Sequence, residues 1–412
     1  MPNTEQNPQE PQTTPLTARV VRIRLTKGRV AESNVTVLML WGITLLFVAF
    51  GLIMVLSASS ITSYLNGAGF LGGFQRQAMY ALFGLILMVI ASRIPLWFWK
   101  KWAWGFFGLG LVLQMLVFTP LGFEVGGNRN WVRITETIGL QPSEFLKLAM
   151  IVWMSAVLQF KEKLIAKPIH ALIPAVIPGA VLAVATVLFG GDLGTAMVMF
   201  AIVIGVLIFA EIDWKTLGLV IAAAIAAALL FLVTSENRMR RLMGLVSNEE
   251  DYSGHDWQPL HGIWALAGGE MFGSGLGSSK AKWSWLPAAD NDYIFAIIGE
   301  EFGFVGAVAT MLLYVGLAYL LFKVIAMSRD RFGKGVVGGV LVWIVGQALL
   351  NIGVVVRLLP VIGVPLPLIS SGGTALVATL IAMGVVLSIA RDGAQYQEEL
   401  RTGAVPTKGT GA

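Results

Sequence analysis

The sequence predicts an all-α integral membrane protein with about ten transmembrane helices, both termini in the cytoplasm, and one large extracytoplasmic loop between helices seven and eight. Three observations carry that prediction. Charged residues make up only 13% of the chain, against about 25% in soluble domains. Hydrophobic residues make up 56%, and mean hydropathy is +0.76. The apolar residues are also gathered into ten runs, each long enough or nearly so to cross a bilayer as a helix. So little charge cannot coat a water-facing surface, which disfavours a soluble enzyme, a disordered protein and a nucleic-acid-binding domain.

The elements follow in order. Residues 1–18 are rich in Pro, Gln, Thr and Asn without apolar periodicity, and read as a disordered tail rather than a signal peptide. Arg19, Arg22, Arg24, Lys27 and Arg29 then form a basic arm with no acid, so residues 1–35 are expected to be a disordered, basic cytoplasmic tail. The apolar runs lie near 36–58, 77–94, 100–119, 143–160, 169–190, 193–210, 214–233, 293–325, 335–356 and 372–390. They make residues 36–391 one polytopic domain, with 392–412 a second cytoplasmic tail. Basic residues orient it. With the N-terminus inside, the inner connections carry Lys100 and Lys101, then Lys161, Lys163 and Lys167, then Arg329, Arg331 and Lys334, with Arg391 after the last run. Only the connection Glu211 to Lys215 lacks this bias.

That orientation places four features on the outer face: residues 120–142, the turn Gly190–Gly191–Asp192, the loop 234–292, and residues 357–371. The unusual chemistry gathers there, away from ATP, and no phosphate-binding P-loop occurs. With Cys 0 and His 3, thiolate chemistry is excluded and a His-based metal cluster is disfavoured.

Glu144 and Lys147 share a helix face three residues apart. They are either an interfacial ion pair or an inward pair lining a polar cavity. Ser143 is a candidate N-cap beside them. Asp192 either caps the sixth helix or serves a site beside its glycines. The 234–292 loop carries Arg238, Arg240, Arg241, Lys280, Lys282 and four Trp, a cationic aromatic surface that suits an anionic lipid-linked substrate or plain anchoring. Asp292 stands where this loop enters the eighth helix, as a base with a raised pKa or as a cap, with Asp290 the other candidate cap. Glu300 and Glu301, deeper in that run, need partners. Pro360, Pro365 and Pro367 break residues 357–376, and such backbone at membrane depth needs a surrounding cavity. Ser370, Ser371 and the helix start after them are a candidate anion site.

Four ordered motifs resemble the SEDS family of FtsW and RodA: GGNRNWVRI with LQPSEFLKLA, GGDLGTA, the stretch GSGLGSSKAKWSWLPAADNDYIFAIIGEEFGFVG, and LLPVIGVPLPLISSGGTAL. The resemblance covers nearly all ten spans, and PLPLISSGG, with Ser371 where RodA has Tyr, is more like the FtsW branch. It implies a peptidoglycan glycosyltransferase polymerising lipid II at the outer face of the bacterial cytoplasmic membrane, at the division septum for FtsW. Implied partners are lipid II, the nascent glycan strand, membrane lipid, a class B penicillin-binding protein supplying the transpeptidase, and other division proteins, with no nucleic acid. Asp292 maps onto the family's essential Asp, Glu144 and Lys147 onto its PSE-x-x-K pair, and Asp192 onto its DLGTA motif.

The sequence departs from the family at Asn130, where many members carry Arg before the Trp. Arg129, Arg133, Lys147, Arg241, Lys282 and Arg357 are therefore all candidates to meet the diphosphate. No cofactor is implied, and a divalent cation such as Mg or Mn is left open. Other readings are a lipid II flippase, a RodA-type elongation polymerase, or a non-catalytic scaffold.

Overall fold

The computed structural model describes residues 17–135, 139–164, 168–233 and 256–402. Its helices are α1 (Thr17–Leu65), α2 (Gly72–Arg93), α3 (Leu96–Met115), α4 (Pro142–Phe160), α5 (Ala175–Phe189), α6 (Leu193–Phe209), α7 (Trp214–Val233), α8 (Trp257–Gly268), α9 (Ile294–Met327), α10 (Arg331–Val355) and α11 (Gly373–Thr402). Ten of these match the ten apolar runs in order, and α8 is an extra helix inside the large loop. The chain is an all-α multi-pass membrane protein, with one small sheet added. The basic arm falls in the N-terminal part of α1.

The fifth run is the least regular. A short helical turn, Pro168–Leu172, precedes α5, and Ile177 leaves helical geometry between Pro174 and Pro178. Proline removes a ladder donor and clashes with the preceding turn, so the run could not stay one straight helix.

Helices α4, α10 and α11 form the centre, and α1, α2, α3 and α9 are mostly exposed to the surroundings. Close approach in the centre needs small residues. A Cβ on Gly338 would lie 2.2 Å from the Phe209 ring, and one on Gly339 2.9 Å from Ile151. The glycines of α10 thus let it seat directly on α4 and α6.

The connections segregate to two ends. At one end, those after α2, α4, α6 and α9 are tied together by charge. Lys100 pairs with Asp330, Arg331 with Glu162 at 3.5 Å, and Lys334 with Glu211 at 2.6 Å. This explains the one inner loop without basic bias: Glu211 takes its cations from the neighbouring connection.

At the other end lie the hairpin of β1 (Gly122–Val125) and β2 (Asn128–Arg133), with β3 (Gly139–Leu140) alongside. Val125 faces Asn128, leaving a two-residue turn at Gly126–Gly127, both at positive φ, as a tight hairpin requires.

The large loop folds back onto α9, which breaks its own ladder at Gly303 (φ 68°, ψ −165°). The freed groups bond to the loop: Phe304 N–H to Glu270 C=O at 2.9 Å, and Ser274 and Gly275 N–H to the carbonyls of Glu300 and Glu301, each at 3.0 Å. A Cβ on Gly303 would lie 2.4 Å from Gly273 N. Gly303→Ala is therefore expected to cost about 2–4 kcal/mol through left-handed strain and displacement of residues 271–275. A thermal melt in detergent checks this, and an unchanged midpoint would show that the loop yields freely.

Candidate active site

Helix α9 begins at Ile294 with no side chain capping it, so neither Asp290 nor Asp292 is a cap. The chain turns through 288–293 on Asn291 and Tyr293 N–H bonds to Ala288 C=O, and this turn sends the two carboxylates elsewhere. Asp290 interacts with the Ser371 side chain, and its backbone carbonyl accepts from Ser371 N–H at 2.8 Å. Asp292 is half-buried as a residue, yet its Oδ1 is sealed from solvent without a hydrogen-bond partner, and its Oδ2 lies 3.6 Å from where a Cβ on Gly363 would sit. Burial pushes the Asp292 carboxyl up to about 7, and the negative charges of Asp192 and Asp290 push the same way. Burial also raises Asp290, opposed by the Ser371 hydrogen bond and by Arg76.

Asp192 is an N-cap. It accepts from Thr195 N–H at 2.9 Å and from the Thr195 hydroxyl at 2.8 Å. It is also more than a cap, because buried Asn130 donates at 2.6 Å to the same oxygen that takes the Thr195 hydroxyl, and to the Ser143 hydroxyl at 2.9 Å. Gln114 holds Asn130 in turn, at 3.0 Å. Ser143 is therefore not the N-cap of α4, a position held by Gln141. Asp192 and Asp292 approach the same backbone. A Cβ on Gly194 would sit 2.1 Å from Ile362 C=O, so the start of α6 abuts residue 362 while Asp292 abuts Gly363.

Beneath them Glu144 and Lys147 pair at 2.9 Å with side-chain exposures of 3% and 1%, which decides for the inward pair. Lys147 also donates to Gln347 Oε1 at 3.2 Å and lies 4.8 Å over the Trp343 ring. Glu144, Gln347 and residues 365–368 line a small cleft with Ser370 and Thr379.

Comparison with known proteins agrees with the motifs. Residues 37–395 match the family described as Cell cycle protein, FtsW/RodA/SpoVE. This chain belongs to the SEDS family. The SEDS chain is 36% identical over 359 residues to the probable peptidoglycan glycosyltransferase FtsW of Mycobacterium tuberculosis, covering 87% of this chain and 68% of that protein. It is 34% identical to stage V sporulation protein E of Bacillus subtilis, covering 85% and 95%. Among solved structures it resembles a chain of a peptidoglycan synthase complex (TM-score 0.68, 23% identity, 86% and 97% covered) and the RodA of Thermus thermophilus (TM-score 0.62, 24% identity, 86% and 96% covered).

The remaining candidates in this SEDS chain divide. On β2 the side chains alternate, so Asn130 points inward while Arg129 and Arg133 are exposed on the other face. Arg129 donates to Val117 and Thr119 carbonyls, each at 3.0 Å, and Arg133 lies 5.4 Å over Phe123. Lys282 is buried and committed, bonding Gly277 C=O at 2.6 Å and Glu301 at 3.4 Å. Glu301 and Glu300 have the partners the sequence asked for: Glu301 accepts from Ser57 at 2.6 Å, and Glu300 from Lys280 N–H at 2.8 Å. Lys282 thus staples the loop to α1 and α9. Arg357 is half-buried in left-handed backbone (φ 58°) at the end of α10. Arg238, Arg240 and Arg241 lie outside the described residues.

Ser370 and Ser371 are not an open anion site. The Ser370 hydroxyl donates to Asn291 C=O at 2.6 Å and accepts from Leu366 N–H at 2.8 Å, and the anion beside Ser371 is the protein's own Asp290. Among the described residues no three His, Asp or Glu side chains could hold a metal ion. Sequence reasoning missed Asn351 and Gln347. The signal was present: two amides one turn apart inside an apolar run.

Proposed function

We propose that this SEDS chain is an inverting peptidoglycan glycosyltransferase that polymerises lipid II at the outer face of the cytoplasmic membrane. The observation that carries this reading is Asp292, a carboxylate with a shielded oxygen, a pKa moved to about 7, and a place where the outer connections converge. A carboxylate in that range is poised to take a proton at neutral pH. Asp292 removes the proton from the acceptor sugar hydroxyl. That oxygen attacks the donor's anomeric carbon, the bond to the diphosphate breaks, and the linkage inverts from α to β. Charge grows on the leaving undecaprenyl diphosphate, so fixed cations matter most there. Arg129 and Arg133 are exposed on the hairpin, on the face opposite Asn130, whereas Lys282 is buried against Glu301, which favours the arginines over Lys282 for this role.

The relative named FtsW and the PLPLISSGG segment favour a septal role, with a class B penicillin-binding protein as the transpeptidase partner. The deciding experiment reconstitutes the protein with that partner in liposomes containing lipid II, and measures glycan polymer and transbilayer lipid II movement separately. Polymer from the wild type is expected. Lipid movement without polymer would make it a flippase, and sidewall rather than septal localisation in cells would make it an elongation enzyme.

A further inference from the structure

Asn351 and Gln347 are the two amides on one face of α10, and together they join the Asp292 backbone, the 364–365 segment and Lys147. Asn351 is buried at 1% exposure. Its Nδ2 donates to the backbone carbonyl of Asp292 at 2.7 Å and to that of Val364 at 2.8 Å. Both partners are carbonyls, so the amide has only one orientation that satisfies them, and both of its hydrogens are used. One turn earlier, Gln347 donates to Pro365 C=O at 2.9 Å while its oxygen receives Lys147 at 3.2 Å. The carbonyls of Val364 and Pro365 are orphans of the proline-broken segment, and such groups need donors in a buried setting. Satisfying them explains one hydrogen of each amide. It does not explain why the second hydrogen of Asn351 is spent on the carbonyl of Asp292 itself.

We propose that Asn351 is a positioning residue that fixes the Asp292 carboxylate against Gly363 by clamping residues 292 and 364 to one rigid helix. Gln347 ties the same segment to the Glu144–Lys147 pair, so α10 acts as the common frame. A helix is a stiffer support for a reacting group than a loop, and a base displaced by about 1 Å loses most of its rate advantage. Without the clamp, the 288–293 turn and the 360–367 segment can separate, and Asp292 no longer meets the acceptor hydroxyl at hydrogen-bond distance.

The inference rests on the polymerase reading, and its test separates the two. Asn351→Leu keeps the branched shape of the side chain and removes both donors. In the full-length protein with its transpeptidase partner, kcat for lipid II polymerisation is expected to fall roughly 30-fold, from two lost hydrogen bonds. KM should stay within about three-fold, because Asn351 does not bind substrate. Hydrogen exchange should accelerate at least about ten-fold in both 288–293 and 360–367, with the rest of the protein unchanged. A packing role alone would leave this apolar isostere near wild type in both readouts. Unchanged exchange in either segment overturns the clamp, and so does an equal rise in KM. Wild-type protein that makes no polymer refutes the activity instead, and the exchange data then judge the clamp alone.

Discussion

Asp292→Asn is expected to lower lipid II polymerisation by about 10³-fold, because an amide cannot accept the acceptor's proton and general bases contribute 10²- to 10⁴-fold. The fold should not suffer. Asn occupies the same volume, and the replacement removes a carboxylate that burial and the charges of Asp192 and Asp290 already disfavour. The unfolding midpoint should therefore hold or rise while activity is lost, the usual trade between a strained functional group and stability. The wild-type pH profile carries the same signature. Asp292 works as a base only when deprotonated, and its pKa is raised, so activity should climb about ten-fold per pH unit up to about 7 and then level. An acidic limb near the ordinary carboxylate value of about 3.9 would show that Asp292 is solvated, and normal glycan chains from Asp292→Asn would remove it from the mechanism.

The helices were legible because hydrocarbon favours long apolar helices, so the ten runs became ten apolar helices, seven long enough to span and α5, α6 and α7 shorter among the described residues. The gathering of basic residues at one end of the bundle was legible through Lys100, Arg331 and Lys334, although the Glu211 connection became intelligible only when Lys334 was seen to lie against it. The hairpin was readable in principle from Gly126–Gly127 between short strands. At the site, sequence reasoning identified Asp292, Asp192, Glu144 and Lys147 as polar residues where apolar ones were expected. It could not tell a cap from a free carboxylate, because capping depends on where the chain turns before the helix. Asp192 falls at the N-cap itself and Asp292 one residue before it, and the two show both outcomes. Long-range pairing was equally hidden. Lys282 and Ser370 looked available because their partners, Glu301 and Asn291, come from segments whose approach is set by tertiary packing. Asn351 escaped notice because a neutral amide in an apolar run carries little signal until its two carbonyl partners are in view.

The buried pair of Glu144 and Lys147 gives the second large effect, on stability first and activity second. Lys147→Met should destabilise the protein by about 3–5 kcal/mol, because Glu144 would be left as a buried carboxyl without its partner. Glu144 has little reserve, since its Oε2 already lacks a partner. Removing both charges is different. A Glu144→Leu/Lys147→Met double variant replaces the pair with apolar groups of similar size, and such replacements are often neutral or stabilising. Its unfolding midpoint should return close to wild type, so a double-mutant cycle would report a coupling of at least about 3 kcal/mol, the cost of Lys147→Met alone. Activity then separates structure from chemistry. If the pair only staples α4 to α10 through Gln347, the restored fold polymerises lipid II normally. If Lys147 also supplies charge to the site, the double variant is stable and still at least about 100-fold slower, and this is the expected outcome. A stapling role accounts for the bonds to Glu144 and Gln347, but burying an ion pair to hold two helices together costs more than apolar side chains of similar size would, and that excess is the reason to expect the charge to matter.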